Sequence, residues 1–267
     1  MKEWRSRLPE YALYLSLALL VWFAVAVFAT KWGIIGWKLG FGFMTVRAGP
    51  ILLAIAGLVA FVALVVALLR EPKTGWWKAA LALFIPAGIF GGLLYMQARA
   101  ADAPPIHDVA TDLSNPPAFS DEVLALRAAM EGNMPVAYDV PLGRLEQWRT
   151  RVDDELAIQT HADLIAKHYG DLRPIPLGSV SEERALDAAV AAMGEIGLQD
   201  VSRDTQAGTV SGVAETFAYG FKDDVVVRVQ DGRIDMRSAS RVGLSDLGYN
   251  AARLEDLRDA IEDRLGR

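Results

Sequence analysis

The stretch DVVVRVQDGRIDMRSASR, residues 224–241, decides how the second half of this chain folds. Asp231-Gly232 stands between two alternating apolar runs, the short-range signature of a two-residue hairpin turn whose central residues both need positive φ. In that register Gln230 faces Arg233, Val229 faces Ile234, Arg228 faces Asp235, Val227 faces Met236 and Val226 faces Arg237. Val225, Val227, Val229, Ile234 and Met236 then share one face, which must be the core face. The other face carries Asp224, Arg228, Asp235, Arg237 and Arg241. A slip of one residue would bury those charges in place of the valines, so the register is strongly specified.

Working outward, Ser120 can cap a short helix over DEVLALRAAME that Gly132 ends. A second helix is expected from about Val152 to Tyr169, stopped at Gly170. Ser179 with Glu182 reads as a capping box for a helix running to about Met193. Short strands follow from about Leu198 and Thr209, ahead of the hairpin. Ser245 can cap a last helix whose Ala251, Leu254, Leu257, Ile261 and Leu265 recur at spacings of three and four. This order predicts an α+β domain, with a meander-like antiparallel sheet covered on one face by helices.

The first hundred residues read differently. Tyr11–Thr30, Ala48–Leu69 and Ala79–Met96 contain no Asp, Glu, Lys, Arg or His. Each is close to the roughly 20 residues that a helix needs to cross a ~30 Å hydrocarbon core. The first is too long for a signal-peptide core and lacks a clear small-x-small cleavage site before Lys31, so a retained helix is expected. KWGIIGWKLGFGFMTVR, residues 31–47, reads as a loop with Trp32 and Trp37 at the interface. Gly88 and Gly92 form a small-xxx-small pair suited to close helix approach. ARAADAPPI, residues 98–106, reads as a linker. The expected division is a three-helix anchor over 1–97, that linker, and a soluble domain over 107–267. Charge-free spans suit an anchor better than a transporter, which needs ionisable groups inside the membrane.

The net charge of -6 hides an asymmetry. Residues 1–101 hold ten Lys/Arg against three Asp/Glu, and residues 102–267 hold seventeen against thirty. The acidic half excludes nucleic acid as a partner, because a phosphate backbone would be repelled. Near the spans, Lys2, Arg5, Arg7, Arg70, Lys73 and Lys78 on one side outnumber Lys31, Lys38, Arg47 and Arg99 on the other. Cytoplasmic loops retain such cations, so the amino terminus is expected in the cytoplasm and the soluble domain outside it. In a bacterium this means an inner-membrane protein with a periplasmic domain. The chain has no cysteine, which fits either compartment.

Three stretches carry a family resemblance: PPIHDVATDLSNPPAF at 104–119, GFKDDVVVRV at 220–229 and DMRSASRVGLSDLGYNAARL at 235–254. They resemble the uncharacterised family known as domain of unknown function 1499. That resemblance implies an envelope-associated or membrane-anchored protein and leaves its activity open.

Candidate chemistry sits in few places. Asp223, Asp224, Arg228, Asp235, Arg237 and Arg241 can line a site for an anionic ligand, since guanidinium offers a planar fork of donors to carboxylate or phosphate. They can equally form a solvated ladder of cross-strand ion pairs. His107 with Asp108 and Asp112 resembles a catalytic base beside an orienting carboxylate, although adjacent strand residues point apart and turn capping by the two aspartates is the simpler reading. His161 and His168, seven apart on one helix face, lack a third metal ligand. A P-loop, a GxSxG elbow and a strand-linked GxGxxG are all missing, so no cofactor is expected. The sequence therefore points to a membrane-tethered binding or interaction module for a small anion, an envelope component or a partner protein. The alternatives are an envelope hydrolase using the His/Asp set and a structural subunit of a membrane complex.

Overall fold

A computed structural model describes residues 3–69, 73 and 75–267 of the chain. Lys2 and Arg70, two of the cations counted for orientation, lie outside the described residues. The chain forms two compact units, residues 1–99 with 217–220 and residues 100–216 with 221–267.

In the first unit, α1 spans Glu3–Lys31, α2 spans Gly49–Leu69 and α3 spans Trp76–Asp102. A wider π-helical stretch, Lys38–Ala48, runs directly into α2, so the segment read as a loop is largely helical. A Cβ on Gly40 would fall 1.8 Å from Thr30 Oγ1, so this glycine permits close helix approach. Among the described residues, three helical segments are long and apolar enough to cross a membrane, Ser6–Lys31, Lys38–Leu69 and Trp76–Asp102. Small side chains join them: Ala12, Ala60, Ala63, Ala79 and Ala82 are fully buried, and Ser16 Oγ donates to the Ala82 carbonyl at 2.7 Å. Gly88 and Gly92 have nothing within 4 Å of where a Cβ would stand, so the approach expected of them is made by the alanines. Helix α3 also continues through Ala98–Asp102, five residues into the expected linker, until Pro104 and Pro105 end it.

The second unit is built on one antiparallel sheet. Its strands are β1 (Asp108–Ala110), β2 (Ile175–Pro176), β3 (Gln199–Asp204), β4 (Thr209–Glu215), β5 (Lys222–Gln230) and β6 (Arg233–Ser240). β3 to β6 form a meander, and β1 and β2 both pair with β6 along its outer edge. The hairpin register is the expected one at every position from Val226↔Arg237 to Gln230↔Arg233. Asp231 and Gly232 both take positive φ, 52° and 72°, as the turn type demands. The segment around Asp108, read as turns, supplies the edge strand β1.

The helices of this unit are α4 (Asp121–Ala129), α5 (Asp154–Ala157), α6 (His161–His168), α7 (Glu182–Glu195) and α8 (Tyr249–Leu265). Ser120 caps α4 as expected, its Oγ accepting the Val123 N–H. The single helix expected over 152–169 is two short ones, because Thr160 starts α6 with a capping box of its own to Asp163. Two other caps move. Ser181, not Ser179, caps α7. At α8 the Asp246 carboxylate accepts the Gly248 and Asn250 N–H groups, the work expected of Ser245. Val225, Val227, Val229, Ile234 and Met236 pack with α7 and α8 in the main core. The second face is not open: Phe119, Val123 and Leu124 cover Val226 and Ala239. Over β5 and β6 the sheet is therefore sandwiched, where one covered face was expected.

Candidate functional site

The covering of that second face transforms its charges. Asp224, Asp235, Arg237 and Arg241 are all buried, and Arg228 keeps 12% of its side chain exposed. A solvated ladder is excluded by this burial, and each guanidinium is already held by protein acceptors.

Asp224 lies between two arginines. Arg241 grips it through Nε and Nη2 at 3.1 and 2.6 Å. Arg127 reaches it from α4 through Nε at 2.7 Å. The remaining Arg127 donors go to the carbonyls of Asn133, Ala239 and Ser240, and its guanidinium lies 5.1 Å from the Phe119 ring centre. Arg127 is fully buried and was missed in the sequence. The signal was present: it follows Val123 by four and Leu124 by three, which puts it on the helix face that covers the sheet.

Arg237 forms a bidentate pair with Asp108, Nε to Oδ1 at 2.9 Å and Nη2 to Oδ2 at 2.7 Å. Tyr138 donates its hydroxyl to the same Oδ1 at 2.7 Å. The guanidinium sits between the Phe119 and Tyr138 rings, 5.2 and 5.3 Å from their centres. Burial would raise the Asp108 pKa, but the Arg237 charge and its hydrogen bonds outweigh that and hold the carboxyl below its ordinary value. Burial, and then the Asp108 charge, push Tyr138 well above the ordinary phenol value.

Toward the hairpin turn, Arg228 pairs with Asp235 at 2.8 Å and Arg233 with Asp112 at 2.7 Å. Asp112 also caps its own turn, accepting from the Ser114 and Asn115 N–H groups. This is the capping role weighed against catalysis. Asp108 does not share it, being committed to Arg237.

Asp223 parts company with the others, since it projects to the α8 side of the sheet. There Arg253 binds it at 2.7 Å and also donates to Ser238 and Asn250. Asn250 in turn reaches the His107 carbonyl and Ser240. Asp246 lies beside this network with no cation on it, and burial raises its pKa to about 6.

His107 and Asp108 point to opposite sides of the chain, as adjacent strand residues must. The His107 ring is fully buried, stacked on Trp148 at 5.2 Å with Nε2 3.1 Å from Gln147 Oε1. His161, also fully buried, stacks on Tyr138 and meets the Trp148 ring edge to face. His168 is exposed and lines a cleft of about 220 Å³ with Lys167, Asp153 and Glu155. The two helix histidines thus face different surroundings. Among the described residues, no group of three His, Asp or Glu side chains is placed to hold a metal ion.

The expected set is therefore brought together except for Asp223, but as an interior in which each guanidinium meets a carboxylate. Anion recognition needs donors that a ligand can reach, and these are spent. Residues 108–261 match the model of a family described as a protein of unknown function (DUF1499). No curated protein and no solved structure matches the chain.

Proposed function

The chain belongs to the DUF1499 family of proteins of unknown function, and on that footing we propose that it is a membrane-tethered interaction module that presents an acidic domain outside the cytoplasm to a cationic partner. One observation carries this reading. Arg127, Arg228, Arg237, Arg241 and Arg253 are withdrawn into pairs with Asp224, Asp235, Asp108 and Asp223, and Asp112 and Asp246 are buried as well. Of the seventeen Lys/Arg and thirty Asp/Glu in residues 102–267, setting aside those five arginines and six carboxylates leaves twelve and twenty-four. The outer surface thus holds two acids for each base. Such a surface steers and selects basic partners and repels small anions. A basic segment of another envelope protein fits it, in the periplasm if the host is a bacterium with the protein in its inner membrane.

Two measurements test the reading. With the full chain in nanodiscs of zwitterionic lipid, a fluorescent oligolysine should bind, with affinity falling as salt is raised from about 50 to 200 mM, while an oligoglutamate does not. Preference for the oligoglutamate, or binding of neither, overturns it. Alkaline phosphatase fused after Arg267 should be active, and a fluorescent protein that matures only in the cytoplasm should stay dark there. The reverse pattern would refute the orientation.

A further inference from the structure

Residues 134–168 form a small cap on the β1 edge of the sheet; Tyr138, Leu142, Trp148, Leu164 and Ile165 seat it in the main core, and its hydrogen bonds gather on His107, Asp108 and their neighbours. The cap is tied to itself by the Leu142 N–H to Gln159 carbonyl bond, the Ala162 N–H to Tyr138 carbonyl bond and a Pro141–Thr160 bridge. It is tied to the β1 segment by Tyr138 and the Val136 N–H on Asp108, by Gln147 on His107, and by Trp148 Nε1 on the Pro105 carbonyl at 2.6 Å. A long Arg237 contact to the Val136 carbonyl, 3.5 Å, completes the set. Three ring nitrogens lie buried in this seam without a partner, His107 Nδ1 and both nitrogens of His161. Buried polar atoms are ordinarily satisfied, so this seam holds imidazoles on which an added proton finds no acceptor.

We propose that residues 134–168 are an acid-released cap, with His161 as its trigger and His107 as its second titrating group. The groups facing them decide the direction. Around His161 stand Asp108 from β1, His107 beside it, Arg237 from β6, and the Tyr138 and Trp148 rings from the cap. Around His107 stand Asp108, Gln147, His161 and the Arg127 guanidinium of α4. The one carboxylate in reach, Asp108, is spent on Arg237 and Tyr138. His161 is also the first residue of α6, whose positive end repels a cation, and the only acid there, Asp163, is committed to the Thr160 cap. Burial lowers the His161 pKa to about 4 against the opposing Asp108 charge, with His107 and Arg237 adding to the lowering, and burial outweighs Asp108 and the Gln147 hydrogen bond to lower that of His107 as well. Each ring is thus neutral when the cap is closed. The closed cap is favoured in full above the ordinary histidine pKa, and that preference is lost as pH falls toward the closed-state value. Asp246 has the opposite sign, its raised pKa favouring the folded chain in acid. It lies at the start of α8 and not in the seam, so cap opening leaves it in place.

Hydrogen exchange of the full chain in nanodiscs tests this, with exchange times corrected for intrinsic chemistry. Between about pH 7.5 and pH 5, protection across 134–168 should fall about 10- to 30-fold, the range that protonation of His161 alone supplies, while β5 and β6 keep theirs. In His161→Phe the pH response of the cap should shrink to the part contributed by His107. If that variant does not fold, His161→Gln removes the same titration, and the wild-type profile is decisive on its own. Equal cap protection at both pH values, a loss shared equally by β5 and β6, or an unchanged response in a folded His161 variant would each overturn the proposal.

Discussion

Asp224→Asn will unfold residues 102–267, or bring them to the edge of unfolding. The carboxylate is the shared partner of Arg127 and Arg241, which are 0% and 8% exposed, so its loss leaves two buried cations without a counter-charge. Breaking one buried pair costs about 3–5 kcal/mol, and a domain of this size has only about 5–15 kcal/mol in hand. Pulse proteolysis of the full chain in urea measures the loss, read on cleavage within the second unit. A companion variant separates charge from packing. Replacing the triad together, Arg127→Met, Asp224→Leu and Arg241→Met, removes all three of its charges while keeping comparable volume, and should cost much less than the single change. A cost below about 1 kcal/mol for Asp224→Asn would mean that water reaches the triad and that the interior is not as dry as its burial implies.

Arg237→Met will have the next largest effect, about 3–5 kcal/mol near neutral pH, because it strands Asp108. Its pH dependence makes the cause visible. In the wild-type chain, Arg237 holds the Asp108 pKa below its ordinary value, so the pair contributes stability above that value and loses it as pH falls through the lowered one. Without Arg237, burial raises the carboxyl instead, and the variant is relieved as pH falls and the group protonates. The gap between variant and wild type should therefore narrow from pH 7.5 toward about pH 4.5. A gap that is constant or widens would assign the loss to missing packing against Phe119 and Tyr138. Exposed arginines on a polar sheet face would have permitted both Arg237 and Arg241 to be replaced with folding intact. Their burial reverses that expectation.

The reversal shows what kind of information is local. Period-two alternation and the Asp231-Gly232 turn specify the hairpin, since both depend on backbone geometry within a few residues. The three apolar segments announce themselves through length and charge alone. Most helix starts were legible to within a few residues, although the second start at Thr160 was not foreseen. Two of them moved to a neighbouring residue able to cap, from Ser179 to Ser181 and from Ser245 to Asp246. The glycine-rich run after Lys31 was misread because Gly40 serves close packing, and packing partners far along the chain leave no local trace.

For the candidate site the limit is sharper. The sequence by itself determined which charges share a face of β5 and β6, and that Arg228 opposes Asp235, because strand period and turn length leave no freedom. It also determined the membrane-compatible helices and the acidic balance of the second half. Whether the charged face meets water was decided only in three dimensions, by Phe119 and α4 closing over it from about a hundred residues away in the chain. The same five side chains would be a ligand site if open and are an ion-paired interior when covered. Alternation along a strand records only that two faces differ, and solvent access depends on what the rest of the chain lays across each of them.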